Sequence, residues 1–114
     1  MVIRALQMSA LSQAAEHQFL NRLVELASDL VREDVLDPDL RIQCAKLRDR
    51  ARRLGLLTEF EIASFVACGI YFGTDFDSRK DLVFRQILLE PDTEPRLKAA
   101  QMVSVLEEAE QAEE

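Results

Sequence analysis

Residues 57–77, LTEFEIASFVACGIYFGTDFD, constrain the fold more than any other part of the chain. Thr58 followed by Glu61 is a capping box, in which each side chain accepts the other residue's free backbone N–H, so a helix starts at Glu59. Leu57 and Ile62 occupy the hydrophobic-staple positions that flank it. Between Phe60 and Phe72 the polar residues are Glu61 and Ser64, and Gly73 then suits the left-handed position just past a helix end. A helix with so little polar surface must be covered, by the rest of a small domain or by another protein. The first outcome predicts a self-contained fold, the second a binding module.

The rest of the chain supplies helices to do the covering. Ser9 or Ser12 can cap a first helix running to about Arg32, with Phe19, Leu23, Leu26, Ala27 and Leu30 on one face. A break follows at residues 34–37. Asp37-Pro38 pairs a good N-cap with a proline at the first helical position, opening a second helix whose buried stripe is Leu40, Cys44, Leu47, Ala51 and Leu54. Gly55 ends or kinks it. Ser78 with Asp81 is a further capping box ahead of Leu82, Phe84, Ile87, Leu88 and Leu89, stopped by Glu90-Pro91. Thr93 caps a last helix through Leu97, Met102, Val103 and Leu106, and residues 107–114 read as a fraying acidic tail. Three glycines and three prolines are too few for a turn-rich β fold of 114 residues. The expectation is one all-α, bundle-like domain over residues 1–106, about five helices around a central hydrophobic one.

Candidate chemistry is sparse. His17 is the only histidine, and no nucleophile pairs with it in a known pattern. Cys44 and Cys68 are too far apart in sequence for a CxxC pair and read as buried free thiols of a reducing cytoplasm. Asp75, Asp77 and Asp81 are the densest loop carboxylates, yet an EF-hand would need a ligand where Arg79 stands, a glycine after it and a closing glutamate. They more naturally hold the turn after Gly73. No phosphate loop, signal peptide or membrane-spanning run is visible, and a net charge of −7 argues against nucleic acid and anionic membranes as partners. The expectation is a non-enzymatic cytoplasmic protein with no cofactor and no metal.

Two features point to protein partners. Arg41, Lys46, Arg48, Arg50, Arg52 and Arg53 crowd the second helix, and within the segment 41–53 Asp49 alone opposes them. They form either a solvated face balanced by acidic neighbours or a docking surface in which Arg48, Arg52 and Arg53 orient an acidic partner. The other feature is the surplus of Phe60, Phe65, Ile70, Tyr71, Phe72 and Phe76. Most of it is core, with Phe72 and the loop residue Phe76 as the candidates for contact with a partner, Phe76 serving as an anchor or a plug.

At these residues the chain resembles a known group. Phe19…Arg22-Leu23-Val24, Leu54-Gly55-Leu56, Thr58-x-x-Glu61-Ile62-Ala63-x-Phe65-Val66, Gly73-x-Asp75-Phe76-Asp77 and Ile87-Leu88…Pro91…Pro95-x-x-Lys98 occur in this order. Together they resemble small all-helical accessory proteins encoded beside type VI secretion effectors and their chaperone-adaptors. The resemblance implies a co-chaperone or adaptor that regulates the chaperone or loading of an effector, and it carries over no catalytic residue. The arginine-rich helix and the acidic tail lie outside the pattern, so partner specificity is expected there. The alternative is an immunity protein that binds and blocks a toxin.

Overall fold

The helix starts and stops are written locally, and the computed structural model, which describes residues 2–31 and 36–113, follows most of them. The described residues form five helices and no strand: α1 (Val2–Val31), α2 (Pro38–Arg53), α3 (Glu59–Phe72), α4 (Phe84–Leu89) and α5 (Pro95–Glu113). The all-α expectation holds.

Asp37 caps α2, its carboxylate accepting the Asp39 N–H at 2.9 Å, and Pro38 opens the helix. The other end is a Schellman closure: the Leu56 N–H reaches the Ala51 carbonyl at 3.0 Å, the Gly55 N–H reaches that of Arg52 at 3.1 Å, and Gly55 takes φ +90°. Leu56 and Ala51, the hydrophobic pair of that motif, are both buried. In α3 the Thr58 hydroxyl accepts the Glu61 N–H at 3.2 Å. The Glu61 carboxylate accepts from the backbone of Leu57 at 3.1 Å and, more weakly, of Thr58 at 3.5 Å. These bonds hold the Glu61 carboxyl below its ordinary range, the Leu57 N–H most strongly and Thr58 next, against an opposing effect of burial. Leu57 remains exposed while Ile62 is buried, so the capping box forms without a buried staple.

Four boundaries differ from the sequence reading. The first helix starts at Val2 rather than at Ser9 or Ser12, because nothing from Val2 to Val31 interrupts it: the stretch has no glycine or proline and is rich in Ala and Leu. Where it ends relative to Arg32, and most of the break at 34–37, lie outside the described residues. The Ser78/Asp81 box does not form: the Ser78 hydroxyl donates to the Asp75 carbonyl, Asp81 pairs with Arg79, and α4 begins at Phe84 without a side-chain cap. The last helix begins at Pro95, which puts Glu94 rather than Thr93 at its cap position, and it continues through residues 107–113. Gly73 has φ +112° and ψ +150°, an extended glycine-only geometry rather than the left-handed helical one, and it turns the chain sharply out of α3.

α3 is the central helix, packed by α1, α2 and α5, with α4 resting on α5. Ile62, Phe65, Val66, Ala67, Cys68 and Gly69 are all buried. Ser64, also buried, returns its hydroxyl to the Phe60 carbonyl at 2.7 Å. α2 lies so close to α3 that a Cβ added at Gly69 would stand 2.6 Å from a Leu47 methyl. α1 runs antiparallel to α2, as Asn21 meets Arg41 and Glu16 meets Arg52. The helices make a slab 53 × 38 × 19 Å, about two helix diameters thick. Its radius of gyration, 15.5 Å, exceeds the ~13 Å of a spherical domain of this length.

Candidate partner-binding surface

The tight start of α3 leaves its first turn at the edge of the core. Phe60 is 51% exposed there, and across from it α1 presents Leu26 at 39%. With Phe19, Leu23 and Ala63 they line a groove of about 300 Å³ whose floor is buried and whose rim is open. Arg22 and Glu59 close one side with an ion pair at 2.7 Å, and the Arg22 guanidinium sits 5.8 Å from the Phe19 ring. That exposed pair adds little stability, but it balances the charge of the rim.

The other end of the 57–77 stretch is closed. Phe76 is fully buried, edge-on to Phe65 at 4.8 Å and to Phe84 at 5.0 Å, and Phe72 lies 5.1 Å from Phe84. Arg50 reaches over from α2 to hold this loop down: its guanidinium donates to the Thr74 carbonyl, pairs with Asp77 at 3.1 Å and lies 5.7 Å from the Phe65 ring. Arg79 adds a bond to the Phe72 carbonyl at 3.3 Å, at the negative end of α3.

The five residues singled out as partner contacts are therefore not one surface. Phe76 is a plug, sealed by Phe65 and Phe84, and is withdrawn from any partner in this conformation. Phe72 is half-buried in the same aromatic row. Arg52 makes a two-toothed bond to Glu16 of α1 at 2.6 and 2.8 Å, and Arg48 shares its charge between Asp49 at 3.1 Å and Glu16 at 3.9 Å. The Arg52 bond, with help from Arg48, lowers the Glu16 carboxyl. Both arginines thus tie α2 to α1. Among the described residues Arg53 has no ion pair and stays exposed. Half of the run that reads as a basic face is spent inside the molecule, through Arg48, Arg50 and Arg52, while Arg41, Lys46 and Arg53 have no ion pair among the described residues.

Of the groove residues, Leu26 reads by periodicity as part of the apolar face of the first helix, and Phe60 belongs to the aromatic surplus of which most reads as core. Leu54 was likewise expected in the buried stripe of α2, but it falls beyond the last helical residue and is 44% exposed.

The reactive side chains have structural partners. Burial pushes the Cys44 thiol up to about 11 and that of Cys68 up to about 12, which keeps both protonated. Their sulfurs lie 3.8 Å from the Leu23 carbonyl and 3.6 Å from the Met102 carbonyl. His17 is exposed, with Nδ1 3.4 Å from Arg41. Asp77 and Asp81 face arginines, and no three His, Cys, Asp or Glu side chains group as a metal site among the described residues. No described helix is long and apolar enough to cross a membrane. Comparison with protein-family models, curated proteins and solved structures gives no match.

Proposed function

We propose that this chain is a non-enzymatic protein-interaction module that seats an apolar side chain of a partner in the α1/α3 groove. The observation that carries the reading is Phe60, a large aromatic half exposed beside Leu26 over a buried floor, with the adjacent charges already paired. Anchors of this kind, packed in a pocket with a polar rim, dominate the energetics of many interfaces. The resemblance of the 19–98 region to type VI secretion accessory proteins makes the partner an effector's chaperone or adaptor, and the role that of a co-chaperone or adaptor in its loading.

The test is co-purification with the products of neighbouring genes, read as mass in solution, for the native chain and for Phe60→Asp. An acidic residue in the first turn of a helix is electrostatically favoured, so this variant keeps its fold. A stable complex with an effector chaperone, lost in Phe60→Asp, supports the reading. Failure to recover any secretion-related partner, or full retention of the complex by Phe60→Asp, overturns it. Rescue of cells from a co-expressed toxin identifies an immunity protein instead.

A further inference from the structure

A second face, sharing no residue with the groove, sets exposed leucines between charges of opposite sign. Around α4 lie two hollows of about 330 and 480 Å³, both lined by Arg85 and Leu89, the first also by Lys80 and the second by Leu54. Leu89, the last residue of the helix, is 65% exposed and Leu54 44%. Lys80 and Arg85 stand at the start of α4, and Glu90 and Asp92 follow its end. All four are exposed and have no ion pair among the described residues.

Lone cations occur elsewhere, at Arg41, Lys46, Arg53 and Arg96, so a missing counter-ion decides nothing by itself. What sets α4 apart is the order of its charges. An α-helix favours anions at its start and cations at its end. α4 has the reverse, with Arg85 in its first turn, no acidic residue there and no basic residue in its last turn. These charges do nothing for the helix that carries them. A second copy of the same face, laid antiparallel across a two-fold axis, brings Glu90 and Asp92 of each chain opposite Lys80 and Arg85 of the other. A patch that is its own complement is what an isologous dimer needs. Two chains of net charge −7 repel each other and can meet only where charge cancels locally, as it does over these four residues.

We infer that the α4 face pairs with a second copy of itself, Leu89 of each chain entering a hollow of the other between the crossed charges. α4 has six residues, a length of about 9 Å, so the contact is small and the dimer is of the weak, reversible class. The groove at Phe60 stays open in it, and two chains together present two grooves to a partner.

The experiment is sedimentation equilibrium of the full chain from ~1 μM to ~1 mM, with circular dichroism and melting of every variant. The expected result is a reversible monomer–dimer equilibrium within that range. Leu89→Ser, Lys80→Glu/Arg85→Glu and Glu90→Lys/Asp92→Lys should each weaken it at least about tenfold, as for loss of an anchor or of close charge pairs. The two charge-reversed chains mixed one to one should recover a dimer, because each then meets the opposite sign across the axis. Lys46→Glu, which reverses a cation outside this face, and Phe60→Asp should leave the equilibrium unchanged. Since the substituted side chains are exposed, helix content and melting should not fall below those of the parent. A monomer up to ~1 mM overturns the inference. So does a dimer that either charge reversal leaves intact, or one that mixing fails to restore. A dimer that Phe60→Asp abolishes would place the interface at the groove and overturns it as well.

Discussion

Phe60 and Phe76 stand near the two ends of the 57–77 stretch, one in the first turn of α3 and one in the loop beyond that helix, and they meet opposite fates. Phe60 opens α3 and stays half exposed, whereas Phe76 leaves the helix and is driven back into the core. The difference does not lie in their immediate neighbours, since each follows an acidic residue and precedes another. It lies in what comes to rest over them. Phe76 gains the rings of Phe65 and Phe84 and the Arg50 clamp, while across from Phe60 α1 brings only Leu26 and the Arg22–Glu59 pair. An aromatic residue becomes core or anchor according to which distant element covers it.

The largest expected effect tests that contrast directly. Phe76→Ala should lose about 3–5 kcal/mol of stability in urea denaturation, the range for a buried phenylalanine. Phe60→Ala should lose less than about 1 kcal/mol. Equal losses would erase the distinction between plug and anchor.

Next comes the clamp. Arg50→Met keeps the aliphatic stem against Phe65 and removes the bonds to Thr74 and Asp77, so a loss of about 1.5–3 kcal/mol is expected, as for hydrogen bonds to charged groups. Amide exchange should accelerate across residues 73–79 and not at the start of α3. Uniform acceleration would show that the loop is not separately held.

A third comparison sets the crowded middle of α3 against its open start. Gly69→Ala forces the Leu47 methyls aside, and overpacking of about 1–3 kcal/mol is partly offset by the roughly 1 kcal/mol gained in helix propensity. Leu47→Ala alone leaves a cavity. The double variant should be more stable than the summed single losses by about 1 kcal/mol, and additivity would count against the close approach of α2 and α3.

Thr58→Ala should cost about 1 kcal/mol, as for other N-caps. The associated pH dependence has a definite sign. Glu61 titrates lower in the folded state than its ordinary 4.5, so its contribution is fully present above that value and is lost as pH falls through the lowered one. Glu61→Gln should flatten this acid limb, and an unchanged limb would remove Glu61 from the cap.

The smallest effect belongs to the α1/α2 ion pairs. Glu16→Gln should cost no more than about 0.5 kcal/mol, because Glu16 and Arg52 are both more than a third exposed and solvent screens them. A larger loss would mean that these arginines do more than fasten two helices.

Helix punctuation was legible because it is local. Asp37-Pro38, Thr58 with Glu61, and Gly55 act on backbone groups within five residues, so the limits of α2 and α3 could be read from the chain. Ser78 with Asp81 has the same spelling as a capping box, but here Asp81 is taken by Arg79 and Ser78 turns to Asp75. The motif was present and its groups were already engaged. The surroundings of the candidate contacts were less legible, for a related reason. A run of six cations on one helix does not say which are neutralised, and Arg48, Arg50 and Arg52 find carboxylates on α1 and on the loop after α3.

An all-α chain, a central helix from Glu59 to Phe72, and the absence of enough turns for a β fold follow from composition, periodicity and caps. They act over one or two helical turns and need no knowledge of what lies opposite. The exposure of Phe60, the burial of Phe76 and the pairing of Arg48, Arg50 and Arg52 were settled by packing. Each depends on partners far along the chain, 24 residues from Arg50 to Thr74 and 36 from Glu16 to Arg52. Burial and charge pairing are properties of the assembled helices, and they decide which part of an apolar, charged chain is left to meet another molecule.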